Sequence, residues 1–314
     1  MTRSRFDPSA MEIDLFGVPC DAGAGMRGTS MGPQALRVAN IADAIANHAR
    51  TVVDRGDLSG SHTLWQKPID GYRHLDVVTE WNARVHDALY ASHAAHRIPI
   101  MMGGDHSLAI GSISAAARHC EHTGQTLRVL WLDAHSDFNT RELSPSGNIH
   151  GMPVACLFGH GPEALIRIGG NAASLRADQI RQVGIRSVDA GERQFIQEAG
   201  LIVHDMRSID ERGMRAVMED ALAGIDDNTH LHVSFDVDFI DPPLAPGVGT
   251  PVPGGPTYRE AQLCMEMIAD TGRLCSLDIV EINPAMDIRN QTALLAVEMV
   301  ESLFGKSTLA RSRT

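Results

Sequence analysis

Eight short runs of almost uninterrupted apolar residues recur from one end of the chain to the other, with longer amphipathic stretches between them, and this alternation constrains the fold most. The runs are Ile13 to Val18, Thr51 to Val53, Ile98 to Met102, Leu127 to Leu132, Ile180 to Ile185, Leu201 to Val203, His230 to Phe235 and Leu274 to Val280. A strand apolar on both sides is buried on both sides, as happens in parallel sheets covered by helices. Helical patterns fall near Gln34 to His48, Leu75 to His96, Leu108 to His122, Glu192 to Glu198, Met206 to Ala223, Thr257 to Thr271 and Gln291 to Phe304. Strands joined by such crossovers predict a wound parallel α/β sheet. No Pro/Ser-rich linker or internal repeat interrupts the pattern, so residues 1–314 read as one domain, with residues 1–10 a flexible N-terminal arm.

Composition removes several functions. A net charge of -12 argues against a nucleic-acid partner, which would need a surplus of Lys and Arg on some face. No apolar run approaches the length of a membrane span, and no apolar stretch follows the arginines near the N-terminus. The five cysteines, Cys20, Cys120, Cys156, Cys264 and Cys275, are widely spaced without any C-x-x-C pair. That suits neither a disulfide framework nor a thiolate zinc site, and fits a reducing cytoplasm.

In a wound parallel sheet, ligands bind beyond the carboxyl ends of the strands. The polar clusters sit there. After Met102 comes Gly103-Gly104-Asp105-His106-Ser107, where two glycines let the chain turn and bring His106 to the rim; by itself a His in this setting is more often a turn or helix-cap residue than a ligand. After Leu132 comes Asp133-Ala134-His135-Ser136-Asp137, three ligand-type side chains at spacing two, which extended chain places on one face. Turn capping would account for an Asp there but not for the interleaved His. The third cluster is Asp236-Val237-Asp238, again at spacing two, where paired carboxylates call for a cation. Asp241, before Pro242, reads as turn structure. Pooled, the four carboxylates and two imidazoles exceed one tetrahedral zinc and suit two hard cations, with manganese favoured. Four Asp charges balance two divalent cations, which leaves room for a bridging hydroxide.

These residues resemble the ureohydrolase family, which contains arginases and agmatinases, and the likeness to arginases is the greater. It runs over nearly the whole chain through Gly103 to Ser107, Trp131 to Asp137, Ser146-Gly147-Asn148-Ile149-His150-Gly151, Ser234 to Asp238 and Leu277 to Pro284. The resemblance implies a three-layer αβα fold with an eight-stranded parallel sheet. It also implies two Mn2+ per subunit, a hydroxide that attacks a guanidinium carbon, and release of urea and an amine. His106 and Asp137 would be terminal ligands of one ion, His135 and Asp238 of the other, and Asp133 and Asp236 would bridge. Asp137 would first accept the proton, His150 would shuttle it, Glu281 would orient the guanidinium, and Thr250 would make a second guanidinium contact. A homotrimer or homohexamer is expected on the same grounds.

For the substrate, the loop from Asn139 to Asn148 is similar to that of arginases: Asn139, Ser144, Ser146 and Asn148 would receive an α-carboxylate, while Asp189 and Glu192 would face an α-amino group. L-Arginine carries both groups, whereas agmatine lacks the carboxylate. The expected reaction is therefore L-arginine to L-ornithine and urea, with an agmatinase or guanidinobutyrase as the alternative. A metal-binding protein without turnover and a single-zinc deacylase are more distant rivals. Two departures from the family pattern lie beside the site: Arg141-Glu142 adds charges that would pair or alter the pocket rim, and Phe138 is bulkier than the usual aliphatic residue.

Overall fold

The computed structural model describes residues 12–48, 51–63, 66–170 and 173–309. The arm expected over residues 1–10 lies outside the described residues. In chain order the elements are β1 (Glu12–Gly17), α1 (Gly32–Val38), α2 (Ile41–Ala46), β2 (Thr51–Asp57), α3 (Leu75–Ala94), β3 (Ile98–Met102), α4 (Ala109–Thr123) and β4 (Thr126–Leu132). There follow α5 (Pro153–Leu157), α6 (Glu163–Ile166), β5 (Ile180–Ile185), α7 (Ala190–Ala199), β6 (Ile202–Asp205), α8 (Met206–Ala221), β7 (Thr229–Asp236), α9 (Tyr258–Thr271), β8 (Leu274–Val280) and α10 (Gln291–Leu303). All eight expected strands are present in one sheet of order β2-β1-β3-β8-β7-β4-β5-β6, and every neighbouring pair is parallel.

Both faces of the central strands are buried, which is why their sequences are apolar throughout. Along β4, Leu130 and Leu132 join a core that includes Leu36 of α1, Ile45 of α2, Val217 of α8, Met265 of α9 and Val300 of α10. The alternate residues Val129 and Trp131 join a core on the opposite face with Ile113 and Ala116 of α4. There, Val85 and Leu89 of α3 pack with Met101 and Val280 in an adjoining cluster. Period-two alternation thus feeds two helical layers from one strand.

Three local expectations need correction. The helix expected from Gln34 to His48 is two helices, because Asn40 turns left-handed at φ 61, a conformation Asn tolerates better than most residues. The second strand runs past Val53 to Asp57, and its polar end is accommodated because it is an edge strand: Arg37 pairs with Asp54 and Asp57 beside it. The short helices α5 and α6 were not expected, since neither is long enough to display a 3.6-residue period.

The sheet's middle positions the site. Met102 of β3 and Phe235 of β7 both stand level with Ile279 of β8, and Leu132 of β4 stands level with Phe235. Four adjacent strands therefore end in a line, and the loops carrying the three sequence clusters and Glu281 leave the sheet side by side.

Candidate metal centre

The turn after β3 depends on its glycine: a Cβ at Gly104 would stand 1.7 Å from the Cys20 carbonyl oxygen, which is backbone and cannot give way. Asp105 then fixes the turn, accepting the Ser107 N–H at 3.0 Å and the Gly23 N–H at 2.9 Å. This delivers His106 into the buried centre, its ring stacked on Trp131 at 3.9 Å between centroids. His106 Nε2 lies 2.9 Å from the Ser234 hydroxyl. With the ring proton donated there, Nδ1 carries a lone pair, and it faces Asp133 at 3.0 Å, Asp236 at 3.1 Å and Asp137 at 3.3 Å. Nδ1 is buried and has no hydrogen-bond partner.

The second half centres on His135, whose Nδ1 lies 3.1 Å from Asp238 Oδ2 and 3.5 Å from Asp133 Oδ1. Asp133 thus turns one oxygen towards each imidazole. The ligand-type atoms of His106, Asp133 and Asp137 form one close group, and those of Asp133, His135 and Asp238 form another, each suited to an ion. Asp236 faces the His106 group with Oδ2, while its Oδ1 accepts the Asp238 N–H at 2.8 Å.

Electrostatics reports the same crowding. Burial, then Asp238 and Asp133, push the Asp236 carboxyl well above its usual range. Burial and Asp133 raise Asp238, and raise Asp137 to about 6. Burial would also raise Asp133, but His106 and His135 hold it below the ordinary carboxylate range. Burial would lower His135, yet Asp238 and Asp133 carry it up to about 12. Without a cation the chain must therefore load protons onto imidazoles to tolerate its own aspartates; divalent ions relieve the same repulsion. Asp137 and Glu281 both sit left-handed, at φ 53 and 62, a strain of about 1–3 kcal/mol for such residues that tends to collect at functional sites.

A cavity opens onto this cluster, lined by His135, Asp137 and Asp236 together with Asn139, His150, Asp189, Glu192, Thr250 and Glu281. Glu281 is buried; its Oε1 accepts the His106 N–H at 2.9 Å and lies 3.1 Å from His150 Nδ1, while its Oε2 is buried without a partner. Burial would lower His150, but Glu281 raises it to about 9. Thr250 donates its hydroxyl to Asp238 at 3.2 Å. Glu192 accepts the Phe138 N–H at 2.9 Å and the Asp189 N–H at 3.2 Å, so it caps α7 and pins the metal loop as well as lining the cavity. Burial is the chief reason that its carboxyl rises to about 7.

Not every expected residue reaches the cavity. Ser144, Ser146 and Asn148 are absent from its lining: the two serine hydroxyls face each other at 3.0 Å, and the Asn148 side-chain oxygen accepts from Arg73 at 3.2 Å. Phe138 points into the core, stacked 4.5 Å from Phe195, so its bulk does not narrow the cavity. Arg141 donates to the Asp70 carbonyl at 3.0 Å instead of pairing with Glu142. Among residues that sequence reasoning passed over, Ser187 and Gly151 line the cavity, and Ser234 and Trp131 orient ligands. The last two carried a signal: each precedes an Asp of the cluster by two positions and so shares its face.

Residues 11–305 match the family described as Arginase family. An arginase from Bacillus caldovelox is 42% identical over 300 residues, covering 95% of this chain and 99% of its own. Its native structure superposes with a TM-score of 0.90, covering 95% of this chain and 100% of the other. The Entamoeba histolytica arginase, solved in complex with L-ornithine, superposes with a TM-score of 0.86 at 30% identity, covering 95% of this chain and 100% of its own.

Proposed function

The chain belongs to the arginase family, and from that membership we propose that it hydrolyses L-arginine to L-ornithine and urea at a pair of Mn2+ ions. The observation that carries the metal part is the buried His106 Nδ1 facing three carboxylate oxygens, an arrangement that a cation satisfies with a neutral ring and that otherwise requires a second proton on the imidazole. His106 and Asp137 would hold one ion, His135 and Asp238 the other, with Asp133 and Asp236 bridging; the predominance of oxygen donors favours manganese over zinc. When bound, such a pair supplies a water molecule acidified towards neutrality.

The chain's own residues then divide the work. Glu281 offers its free Oε2 to the guanidinium, whose planar pair of N–H groups a carboxylate can engage side-on, and Thr250 adds a contact from the Asp238 side. Asp137 accepts the proton from the attacking water. His150 passes a proton on to the departing amine from its place against Glu281, a task suited to an imidazole. Asp189 and Glu192 would face the α-amino group and Asn139 the α-carboxylate, while Ser144, Ser146 and Asn148, outside the cavity lining, would meet that carboxylate only at the rim. The match across residues 11–305 supports reading the chain as one ureohydrolase domain. A homotrimer or homohexamer working in the cytoplasm completes the proposal, in keeping with a described chain in which no helix is long and apolar enough to cross a membrane.

The second reading is another guanidino substrate: agmatine, which lacks the α-carboxylate, draws on the position of Ser144, Ser146 and Asn148 outside the cavity lining, whereas 4-guanidinobutyrate keeps a carboxylate but lacks the amino group that Asp189 and Glu192 would face. Urea release from the three compounds by manganese-loaded protein separates the readings. Arginine should be strongly preferred, and a preference for agmatine would overturn the assignment. Anomalous scattering that showed a single zinc would overturn the metal pair.

A further inference from the structure

We propose that Arg186 is the positioning residue for the half of the metal centre built on His135 and Asp238, an inference that rests on the two-ion reading above. Arg186 leaves the end of β5 and sends its guanidinium beneath the loop that follows β7. Among the described residues, no carboxylate oxygen pairs with it there. It donates to five main-chain carbonyls: Nε to Val252 at 3.0 Å, Nη1 to Gly184 at 3.3 Å and Phe239 at 3.0 Å, and Nη2 to Asp238 at 2.7 Å, Val252 at 2.8 Å and Ile240 at 3.4 Å. Five N–H donors in a rigid planar fork match such a basket of carbonyls, and no other side chain has them.

The clamp joins three site loops. The main-chain N–H groups of Arg186 and Ser187 both donate to the Ala134 carbonyl, at 2.8 and 3.0 Å, immediately before His135. Asp238 in turn accepts the Ala134 N–H at 3.1 Å and the Thr250 hydroxyl at 3.2 Å. The guanidinium thus holds the main chain at Asp238 directly, and Asp238 in turn meets Ala134 and Thr250, while the main-chain bonds to Ala134 do not depend on the side chain. The chain makes room for it: a Cβ at Gly255 would stand 2.7 Å from Arg186 Nη2. The His106 half shares Asp133 with the other but has supports of its own in Ser234, the Trp131 ring and the Asp105 turn, none of which Arg186 touches. A defect at Arg186 should therefore fall on one ion and spare the other.

The test is the manganese content of Arg186→Gln and Arg186→Lys after gel filtration, by elemental analysis, with anomalous occupancy at each position and metal-free circular dichroism as the check on folding. Lysine keeps the charge and the stem but loses the fork, so it carries the test if the Gln variant does not fold. The expected result is a content falling from two ions towards one, the loss lying at His135 and Asp238, with affinity there weaker by about 10–100-fold. Two ions held with unchanged affinity, or equal loss from both positions in a folded protein, would overturn the proposal. A wild-type protein that never binds two ions would instead refute the two-ion reading beneath it.

Discussion

His106 shows how one side chain is prepared for a cation before any cation arrives. Its orientation comes from the Ser234 hydroxyl on one nitrogen and the Trp131 ring on its face, which leaves the other nitrogen pointing at carboxylates. Removing the hydroxyl in Ser234→Ala frees the tautomer and the ring, so manganese affinity should fall by about 10–100-fold while the fold persists. Isothermal titration measures this, and an unchanged affinity would deny Ser234 its role. His150 sits differently, against Glu281 and away from the ligand set, so His150→Asn should keep both ions but slow turnover; full activity in that variant removes it from the proton path. Five of the six candidate ligands, Asp133, His135, Asp137, Asp236 and Asp238, are readable from sequence because spacing two in extended chain forces side chains onto one face, whereas His106 stands outside that pattern. Ser187 is not readable, since it reaches the cavity only through the pairing of β4 with β5 that sets it beside His135.

At the scale of elements, a feature far from the chemistry has a titration of its own. Where α3 and α4 end against the start of β7, His93, His119 and His230 bring their rings within 5.0 to 5.6 Å of one another, with His232 alongside. Burial holds His93 well below the usual imidazole range, and holds His230 down to about 3, with neighbouring imidazoles adding to both. Unfolded, each would take a proton near pH 6.5. Between that pH and about 3 these two sites therefore bind more protons in the unfolded chain than in the folded one, and their contribution to stability falls as pH drops through this window. In EDTA the raised carboxyls of Asp137 and Glu192 titrate in the opposite sense, so the signature is differential: from pH 7 to pH 5 the urea midpoint of a His93→Gln, His230→Gln double variant should rise relative to wild type, and an identical pH dependence would contradict the account. The element pattern was largely legible because strands buried on both faces must be apolar on both faces. What escaped was set by single residues or short range: the break at Asn40, the polar end of the edge strand β2, and α5 and α6, too brief to show a period.

At the scale of the whole molecule, the candidate ions would add a tie between loops already joined by the Arg186 clamp and by bonds such as that from the His106 N–H to Glu281. The sheet aligns the ends of β3, β8, β7 and β4, but beyond those ends the loops are held by individual contacts around buried, mutually repelling aspartates. Cation binding replaces that repulsion with attraction in the folded state only, so it must stabilise the fold. The gain is about 2.7 kcal/mol per site when free ion stands at a hundred times its dissociation constant. Stripping with EDTA should therefore lower the melting temperature by several degrees, and manganese should restore it. The size of the restoration distinguishes shared ligands from private ones. Asp133 turns an oxygen to each imidazole, so Asp133→Ala should abolish the manganese-dependent rise altogether. Asp137 belongs to the His106 half alone, so Asp137→Ala should keep part of it. Scanning calorimetry of both metal-free variants with and without manganese decides the matter, because a full rise in Asp133→Ala would mean that the two halves do not share that carboxylate.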